Sequence, residues 1–214
     1  MPQKSGEKVP HICYHNFCSV KHKEVYKMQK KIILASSSPR RIEMMKKHGF
    51  DPEIRPADID ETLPAGIGMR DAVLFLALKK ALSIEQCAEK GSVIIAADTV
   101  VYKDGIMGKP KDRQDAFEML SKIRNTSHFV TTGVALIAAG ENYKKIFCDV
   151  TEVFCRDYTD KEINDYLDTA EPYDKAGAYA IQGIFGKYID HYKGSFDNVV
   201  GFPWELIEEE LQHF

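Results

Sequence analysis

The sequence predicts an α/β protein, because strand-like and helix-like segments alternate from Lys31 onward. Two short and mainly apolar runs, Ile32 to Ala35 and Ser92 to Ala97, have the composition of buried strands. Between them, residues 70–89 carry apolar side chains at helical spacing, and Gly91 supplies a stop signal. With 214 residues, 44% of them hydrophobic, the chain is large enough to enclose a core.

The first helix is predicted from Pro39 to about His48. Ser38 is a typical N-cap residue, proline suits the first helical position because it has no N–H to lose, and Gly49 is a usual residue after a helix. A short extended segment, residues 53–57, follows. The elements expected after the second strand are a hairpin across Asp104-Gly105, a helix from Asp112 to about Arg124, a long antiparallel hairpin of residues 129–139 and 143–156, a helix from a capping box at Thr159 to Leu167, a strand near residues 188–191 and a helix after Pro203.

Charge and cysteine usage restrict the class of protein. Residues 1–31 hold seven lysines against two glutamates, so the formal net charge of −3 leaves −8 on the rest of the chain. An acidic body argues against a nucleic-acid binder. Five cysteines without a disulfide pattern, and the lack of an apolar stretch of about 18 residues, predict a cytoplasmic protein that does not insert into a membrane.

Residues 1–29 differ from the rest of the chain, because they are polar and lysine-rich and show no clear period. We interpret them as a flexible tail, or as non-native sequence translated upstream of a start at Met28, attached to a domain of residues 30–214. Cys13 and Cys18 lie among histidines, but their spacing matches no strong zinc-ligand pattern.

The sequence Ser36-Ser37-Ser38-Pro39-Arg40-Arg41 joins the first strand to the first helix. A helix N-terminus presents unpaired amide donors and a partial positive charge, and guanidinium groups match phosphate oxygens. The segment therefore predicts a phosphate-binding corner. The same residues are also compatible with a well-capped surface helix that carries two solvated arginines, and both interpretations stay open at this point.

Two carboxylates are candidates for chemistry. Asp98 directly follows the second buried run, where we expect that strand to end, with Thr99 beside it. Ligands of α/β sheets gather beyond strand ends, and a carboxylate there can bind a divalent cation or polarise a water molecule. Glu61, in an acidic loop, is a candidate second metal ligand. The alternatives are a turn aspartate that accepts from backbone amides and a solvated loop glutamate.

Two lysine positions are candidates for binding phosphate. Lys109 lies between Gly108, which permits close backbone approach, and Pro110, which stiffens the chain. In the second helix, Lys79 and Lys80 interrupt an otherwise apolar sequence, so one of them is expected to point into a pocket. The alternative for each is an ordinary solvated lysine.

The segment from Tyr173 to Gly183 places small residues between charged and aromatic ones. Small residues let a flat ligand approach the backbone, and the Gln182 amide can donate to and accept from the edge of a uracil or thymine ring. A glutamine that satisfies backbone groups in a loop is the alternative. The sequence has no Walker A motif and no strand-linked G-x-G-x-x-G, which argues against ATPase and dinucleotide-binding functions.

Four of these segments, in this order and separation, resemble the Maf family of nucleoside triphosphate pyrophosphatases over residues 31 to about 211. They are Ser36-Ser37-Ser38-Pro39-Arg40-Arg41, Ala97-Asp98-Thr99, Gly108-Lys109-Pro110 and Asp174-Lys175-Ala176-Gly177-Ala178-Tyr179-Ala180-Ile181-Gln182-Gly183. The resemblance implies a cytoplasmic α/β protein, frequently a homodimer. Its mixed, twisted sheet with flanking helices forms two lobes around a central cleft and is similar to that of inosine triphosphate pyrophosphatases.

The resemblance also implies a reaction, in which water attacks the α-phosphorus of a nucleoside triphosphate and releases the monophosphate and pyrophosphate with Mg²⁺ or Mn²⁺. Asp98 matches the family's proposed proton acceptor, and Glu61 and Asp98 are the expected metal ligands. Lys80, which helical spacing favours over Lys79, and Lys109 match catalytic basic positions. Together with Arg40 they match the cations that hold the triphosphate. The residues expected to bind and select the substrate are Ser36, Arg40, Arg41, Thr99 and Gln182; Arg41 either contacts phosphate or braces the corner.

The loop that ends in Gln182 resembles the branch of the family that acts on dTTP and UTP, so we expect a pyrimidine triphosphate as substrate. Two alternatives stay open. One is the same chemistry on a purine-type triphosphate, and the other is a nucleotide-binding regulator of cell division or septum formation. The presence of Asp98, Glu61, Lys80 and Lys109 favours catalysis, because a sensor does not need a general base.

Overall fold

The structure, a computed structural model, describes residues 30–214. The predicted N-terminal extension, with Cys13 and Cys18, lies outside the described residues. In residues 172–188 the chain forms three short 3₁₀ helices, Pro172–Asp174, Ala176–Ala178 and Ile184–Tyr188. The strands and α-helices are, in chain order, β1 (Ile32–Leu34), α1 (Pro39–Lys47), β2 (Glu53–Ile54), α2 (Met69–Glu85), β3 (Val93–Tyr102), β4 (Ile106–Met107), α3 (Arg113–Ile123), β5 (Ser127–Ala138), β6 (Lys144–Cys155), α4 (Asp160–Leu167), β7 (Ile189–Lys193), α5 (Phe196–Val200) and α6 (Trp204–Leu211).

One mixed sheet with strand order β2-β1-β3-β5-β6-β7 organises these elements. Strand β3 pairs antiparallel with β5 over all ten of its residues. On its other edge, β3 pairs in parallel with β1 through residues 93–95 and then antiparallel with β4 through Val101 and Tyr102. Residues 96–100 of β3 therefore form a stretch of sheet edge that neither β1 nor β4 covers.

Three clusters of buried side chains hold the layers together. The α2 helix covers the sheet face that carries Ile94 and Ala96, and α1 and α6 cover the opposite face, which carries Ile95 and Ala97. The third cluster joins α3, α4 and the 3₁₀ helices around Phe185. Among residues 30–214, no helix is both long enough and apolar enough to cross a membrane.

A glycine sets the distance between α2 and the sheet. A Cβ atom on Gly133 would lie 2.6 Å from the backbone carbonyl carbon and oxygen of Val73, so a larger residue would force the helix outward. Gly133 is also the partner of Asp98 in the ladder between β3 and β5. The close approach of α2 therefore lies beside Asp98, and this is what brings side chains of α2 within reach of it.

The structure confirms the predicted α/β class, with its mixed sheet and flanking helices, and most of the predicted elements. Signals that depend on a few neighbouring residues were accurate. The capping box at Thr159 and Glu162 is present, and Asp112 caps α3 by accepting from a backbone N–H. The predicted hairpin across Asp104-Gly105 is present and pairs Val101 and Tyr102 of β3 with Met107 and Ile106 of β4.

Several predicted boundaries were wrong. The α2 helix ends at Glu85 rather than near residue 89, because its buried apolar face ends at Ile84 and the following Gln86 and Cys87 are exposed. The predicted extended segment is reduced to the two residues of β2. The five-residue helix α5 was not predicted, because a helix of little more than one turn shows no periodicity.

Two local predictions near the expected site also need correction. Asp98 lies inside β3 and not after its end, because β5 continues the pairing through Tyr102. It lies instead beyond the end of the parallel pairing with β1. Ser38 occupies the N-cap position without a side-chain capping bond, and Ser36 Oγ instead accepts from the Ser38 N–H at 3.2 Å.

Candidate active site

A cleft of about 980 Å³ opens beside the uncovered stretch of β3. It is lined by the corner after β1, the loop before α2, the middle of β3, the turn after β4 and the loop between α4 and β7. The structure thus brings together residues that are distributed over most of the chain. All of the residues predicted for the site line this cleft: Ser36, Arg40, Arg41, Glu61, Lys80, Asp98, Thr99, Lys109 and Gln182.

Lys80 forms ion pairs with both candidate carboxylates. Its Nζ lies 2.6 Å from Asp98 Oδ1 and 2.7 Å from Glu61 Oε1. The side chains of Lys80 and Asp98 are each 12% exposed, whereas the Glu61 side chain is 55% exposed. The lysine and the aspartate therefore lie deep in one wall of the cleft, and the glutamate lies on the solvent side of this pair.

The neighbouring Lys79 points in a different direction. Its ammonium donates to the backbone oxygen of Asp60 and lies 5.8 Å from the centre of the Phe75 ring. Successive residues of an α-helix are about 100° apart around the axis, so two adjacent lysines cannot serve the same site. The structure places Lys80, and not Lys79, in the cleft.

Opposing effects set the proton affinities of the two carboxylates. Burial raises the pKa of Asp98, and the positive charges of Lys80 and Arg41 only partly offset this effect. For Glu61, burial also acts to raise the pKa, but the hydrogen bond from Lys80 and the charges of Lys80, Lys109 and Arg41 outweigh it, so its pKa is lowered. The cleft thus combines a carboxylate of increased basicity with one that is held as an anion.

The two adjacent arginines have different environments. The Arg40 Nε is buried and has no hydrogen-bond partner within residues 30–214. The Arg41 guanidinium, by contrast, donates four hydrogen bonds, to the backbone oxygens of Ala97 (2.9 Å) and Gly201 (2.9 Å), to Ser36 Oγ (3.1 Å) and to Thr99 Oγ1 (3.1 Å). Arg41 therefore braces the corner between β1 and α1, and it takes the place of a strand partner at the uncovered edge of β3. Arg40 retains donor capacity for a ligand.

Thr99 connects this corner to a buried polar network on the face of β3 opposite to Asp98. Its Oγ1 lies 3.0 Å from Thr132 Oγ1, which donates to the backbone oxygen of Asn198 at 2.9 Å. The Asn198 side chain is fully buried and bonds the Thr132 N–H, the Val130 oxygen and Thr151 Oγ1. Thr132 and Asn198 were not predicted from the sequence, because no local pattern distinguishes them from ordinary strand and helix residues.

Lys109 and Gln182 are exposed and lie on loops. A backbone hydrogen bond from the Gly177 N–H to the Gly108 oxygen (3.0 Å) joins the two loops. Gly177 has a φ of +69°, and a Cβ atom there would lie 2.8 Å from Val101 Cγ2. The sequence suggested that small residues in this segment leave space for a flat ligand. At Gly177, however, the lack of a side chain is required for packing against Val101 within the protein.

A buried histidine contacts the loop that contains Gly177 and Tyr179. His128 Nε2 lies 2.6 Å from the hydroxyl of Tyr179, and the two rings meet edge to face. Burial, with a smaller contribution from the charge of Lys103, lowers the pKa of His128 to about 3. The imidazole is therefore neutral at physiological pH. This role of His128 was not predicted from the sequence, because its partner Tyr179 is distant in the chain.

The carboxylates fit a divalent cation that is bound jointly with a substrate. Within residues 30–214, no cluster of three or more histidine, cysteine, aspartate or glutamate side chains could enclose a metal ion. Mg²⁺, however, is commonly bound by one or two carboxylates together with substrate phosphates and waters. Glu61 and Asp98, which share the Lys80 ammonium, supply such a pair of oxygen donors.

Comparisons with known proteins identify the family of the chain. The profile of the family described as "Maf-like protein" matches residues 31–214. A dTTP/UTP pyrophosphatase of Desulfitobacterium hafniense is 43% identical over 187 residues, which cover 84% of this chain and 83% of that protein. A dTTP/UTP pyrophosphatase of Caldicellulosiruptor bescii is 42% identical over 187 residues, which cover 86% of this chain and 94% of that protein.

Among solved structures, the Staphylococcus aureus Ham1 protein superposes with a TM-score of 0.52 at 16% identity, over 86% of this chain and 99% of that chain. This similarity confirms the predicted fold class and carries no argument about activity. The family match covers nearly all of the described residues, and the relatives above exceed 40% identity. The chain belongs to the Maf family.

Proposed function

We propose that this protein is a nucleoside triphosphate pyrophosphatase that hydrolyses dTTP and UTP to the monophosphate and pyrophosphate. The relatives of this name support the proposal. One structural observation carries it: the Lys80 ammonium pairs with the buried Asp98 and with Glu61 on its solvent side, in a cleft that Arg40 and Lys109 also line. A basic carboxylate and several cations in one cleft are what hydrolysis of a phosphoanhydride requires.

Asp98 is the proposed general base. It accepts a proton from a water molecule while the water oxygen forms a bond to the α-phosphorus. The bond from the α-phosphorus to the oxygen that bridges it to the β-phosphorus breaks, and pyrophosphate leaves with that oxygen. The raised pKa of Asp98 favours this role, because the carboxylate accepts a proton more readily. Lys80 orients the carboxylate and keeps it ionised before the reaction.

Arg40 and Lys109 are the proposed triphosphate ligands. Arg40 and Lys109 both line the cleft, and Lys109 is exposed, so both cations can contact phosphate oxygens there. They would stabilise the negative charge that develops on the leaving pyrophosphate. Arg41 contributes indirectly, because its hydrogen bonds fix Ser36 and the N-terminus of α1, which itself attracts anions.

A divalent cation, Mg²⁺ or Mn²⁺, completes the proposed site. Glu61 and Asp98 would hold it together with oxygens of the triphosphate. The cation supplies Lewis-acid polarisation of the phosphoryl oxygens. Glu61 suits this role, because its lowered pKa keeps it ionised and its side chain is accessible from the solvent side.

Gln182, with Thr99 and Arg40, is proposed to select the base. The edge of uracil or thymine presents an N–H donor beside a carbonyl acceptor. A carboxamide presents the complementary acceptor and donor, so one glutamine can form two hydrogen bonds with that edge. Gln182 is exposed on the cleft wall and can reach a base.

The proposal extends to the setting of the enzyme. We place it in the cytoplasm as a homodimer that acts on free nucleotides and not on nucleic acid or membranes. The thiols of Cys87, Cys148 and Cys155 are free, which suits a reducing compartment. The homodimer rests on the family resemblance, and light scattering tests it. The family match from residue 31 supports a catalytic domain of residues 30–214 with residues 1–29 as an extension.

A panel of canonical and modified nucleoside triphosphates, with Mg²⁺ or Mn²⁺ and detection of pyrophosphate, tests the proposed function. We expect dTTP and UTP to be hydrolysed with a kcat/KM at least about 10-fold above that of the purine triphosphates. Release of no pyrophosphate from any compound would contradict the enzyme and favour the regulator. Preferential hydrolysis of purine triphosphates would contradict the assigned substrate.

A further inference from the structure

Glu171 is a cleft residue whose side chain is bonded to the protein. It lies just before the 3₁₀ helix Pro172–Asp174. Its Oε2 accepts from the Ile184 N–H at 2.9 Å, and its Oε1 accepts from the Tyr166 hydroxyl at 2.9 Å and, more weakly, from the Phe185 N–H at 3.4 Å. Both carboxylate oxygens are therefore engaged by the protein, which argues against direct use of Glu171 in binding a ligand.

The segment that Glu171 holds is the turn that carries Gln182. Gly183 packs directly on the Glu171 carboxylate, so that a Cβ atom at Gly183 would overlap it. The turn is closed by hydrogen bonds from the Gly183 N–H to the Ala180 oxygen (3.2 Å) and from the Gly186 N–H to the Gly183 oxygen (3.1 Å). One carboxylate thus fixes the backbone on the C-terminal side of Gln182 by contact and by hydrogen bonds.

Glu171 itself rests on rigid structure. Tyr166, on α4, is 2% exposed, and its ring lies 5.2 Å from that of Phe185. Burial, together with the hydrogen bond to Glu171, raises the pKa of Tyr166, so the hydroxyl keeps its proton and remains a donor. The Glu171 N–H also donates to Thr169 Oγ1 at 3.3 Å. A carboxylate that is bonded to the core in this way can hold a loop in a fixed position relative to the core.

We infer that Glu171 is a positioning residue for substrate selection, which fixes residues 180–185 so that the Gln182 amide faces the base. The inference rests on the proposed function, because it takes Gln182 as the group that contacts the pyrimidine. Asp98 and Lys80 are not among the hydrogen-bond partners of Glu171 in residues 30–214. Loss of Glu171 is therefore expected to change discrimination between bases more than turnover at saturation.

The test compares kcat and KM for UTP and GTP in Glu171→Ala and in the unmodified protein. We expect the ratio of kcat/KM for UTP to that for GTP to fall about 10-fold, through a higher KM for UTP, with kcat changed less than about 3-fold. Glu171→Gln keeps an oxygen acceptor for the Ile184 N–H and should restore part of the ratio. Asp165→Ala is the matched control, because within residues 30–214 this α4 carboxylate pairs only with the exposed Lys161.

Two further variants separate positioning from general stability. Gly183→Ala displaces the same turn from the other side and should reproduce the selective loss, and with Glu171→Gln it decides the matter if Glu171→Ala does not fold. If Glu171 acts through Gln182, the double variant Glu171→Ala/Gln182→Ala should show the ratio of Gln182→Ala alone. Hydrogen exchange of the Ile184 amide should be faster in Glu171→Ala than in the unmodified protein.

The outcomes distinguish this inference from the function on which it rests. If the unmodified protein prefers UTP but the variants leave the ratio unchanged, lower kcat equally for both substrates or combine additively with Gln182→Ala, the inference about Glu171 is wrong and the proposed function stands. Unchanged exchange of the Ile184 amide also overturns it. If the unmodified protein does not prefer pyrimidine triphosphates, the proposed function fails, and the inference fails with it.

Discussion

The two walls of the cleft are built in different ways. The reactive wall comes from long regular elements, since Asp98 lies within the ten-residue strand β3 and Lys80 within α2. The wall assigned to base recognition comes from loops and 3₁₀ turns, in which backbone hydrogen bonds and the Glu171 carboxylate hold Gln182 and its neighbours. Asp98 and Lys80 meet within hydrogen-bond distance on the rigid core, whereas Gln182, one of the three residues proposed to select the base, lies on a loop.

This difference is also one of burial. Lys80 and Asp98 are each 12% exposed and are paired to each other, whereas Gln182 and Lys109 are exposed. A substitution on the reactive wall therefore removes a charge whose interactions water cannot replace, because the site is largely buried. A substitution on the loop wall removes a contact that water can partly supply.

The largest effect is expected for Asp98→Asn, which keeps the shape of the side chain but cannot accept the proton. The kcat for pyrophosphate release should fall about 10³-fold, with the nucleotide Kd from calorimetry almost unchanged. Asp104→Asn is the control, because Asp104 lies in the hairpin turn at a φ of 52°, where asparagine is tolerated. A kcat within about 10-fold of the unmodified protein would contradict the role of Asp98.

The pair Lys80→Ala and Lys79→Ala tests whether the reactive wall depends on one lysine. Loss of Lys80 leaves Asp98 buried without its partner, and kcat/KM should fall about 10²-fold. Because removal of a positive charge raises the pKa of Asp98, the acid limb of the pH–rate profile should move to higher pH. Lys79→Ala loses contacts with the Asp60 backbone and the Phe75 ring, neither of which lines the cleft, and should stay within about twofold. Equal losses would refute the assignment.

Acid should destabilise the protein through His128, because this histidine is buried in its neutral form beside the loop wall. Between pH 6.5, the ordinary pKa of histidine, and about 3, the pKa of His128 in the folded protein, the unfolded chain binds a proton that the folded protein does not. The free energy of unfolding should therefore decrease as the pH falls, by about 2 kcal/mol from this group between pH 6.5 and 5.

Urea unfolding at a series of pH values measures this dependence. His128→Gln should reduce the slope of stability against pH by about one proton over that range, because the side chain no longer titrates. His213→Gln, which changes an exposed histidine near the end of the chain, is the control and should leave the slope unchanged. The same slope in both variants would show that His128 does not set it.

The smallest effect is expected for Gln182→Ala. The ratio of kcat/KM for UTP to that for GTP should fall about 10-fold, while kcat for UTP stays within about threefold, because the reactive wall is untouched. Gln212→Ala, at the exposed C-terminal cap of α6, is the control. If kcat falls for both substrates and the ratio of kcat/KM for UTP to that for GTP is constant, the assignment of base selection to the loop wall is wrong.

Much of the fold was predictable from the sequence, because the signals were local. Apolar periodicity indicated α2 and the long hairpin of β5 and β6, and short motifs indicated the caps of α3 and α4. The end of β3 was not predictable in the same way. It depends on β5, which continues the pairing beyond Asp98 through Tyr102 although β1 has already ended.

The candidate site divides similarly. The motifs identified residues that all line one cleft. The resemblance placed Arg40 on the substrate, but it left open whether Arg41 contacts phosphate or braces the corner. Only the packing shows that the Arg41 guanidinium bonds the backbones of Ala97 and Gly201, which no sequence spacing brings together. Glu171 was missed for the same reason.

The sequence by itself determined the α/β class, the order of most elements and a set of polar residues that all line the cleft. The tertiary structure decided which of them are paired, buried or left with unpartnered donors: Lys80 between two carboxylates, Arg41 as a brace, and Glu171 under the turn of Gln182. The physical reason is that periodicity and capping act within a few residues. Proton affinity and hydrogen-bond capacity depend instead on neighbours that only the folded chain brings into contact.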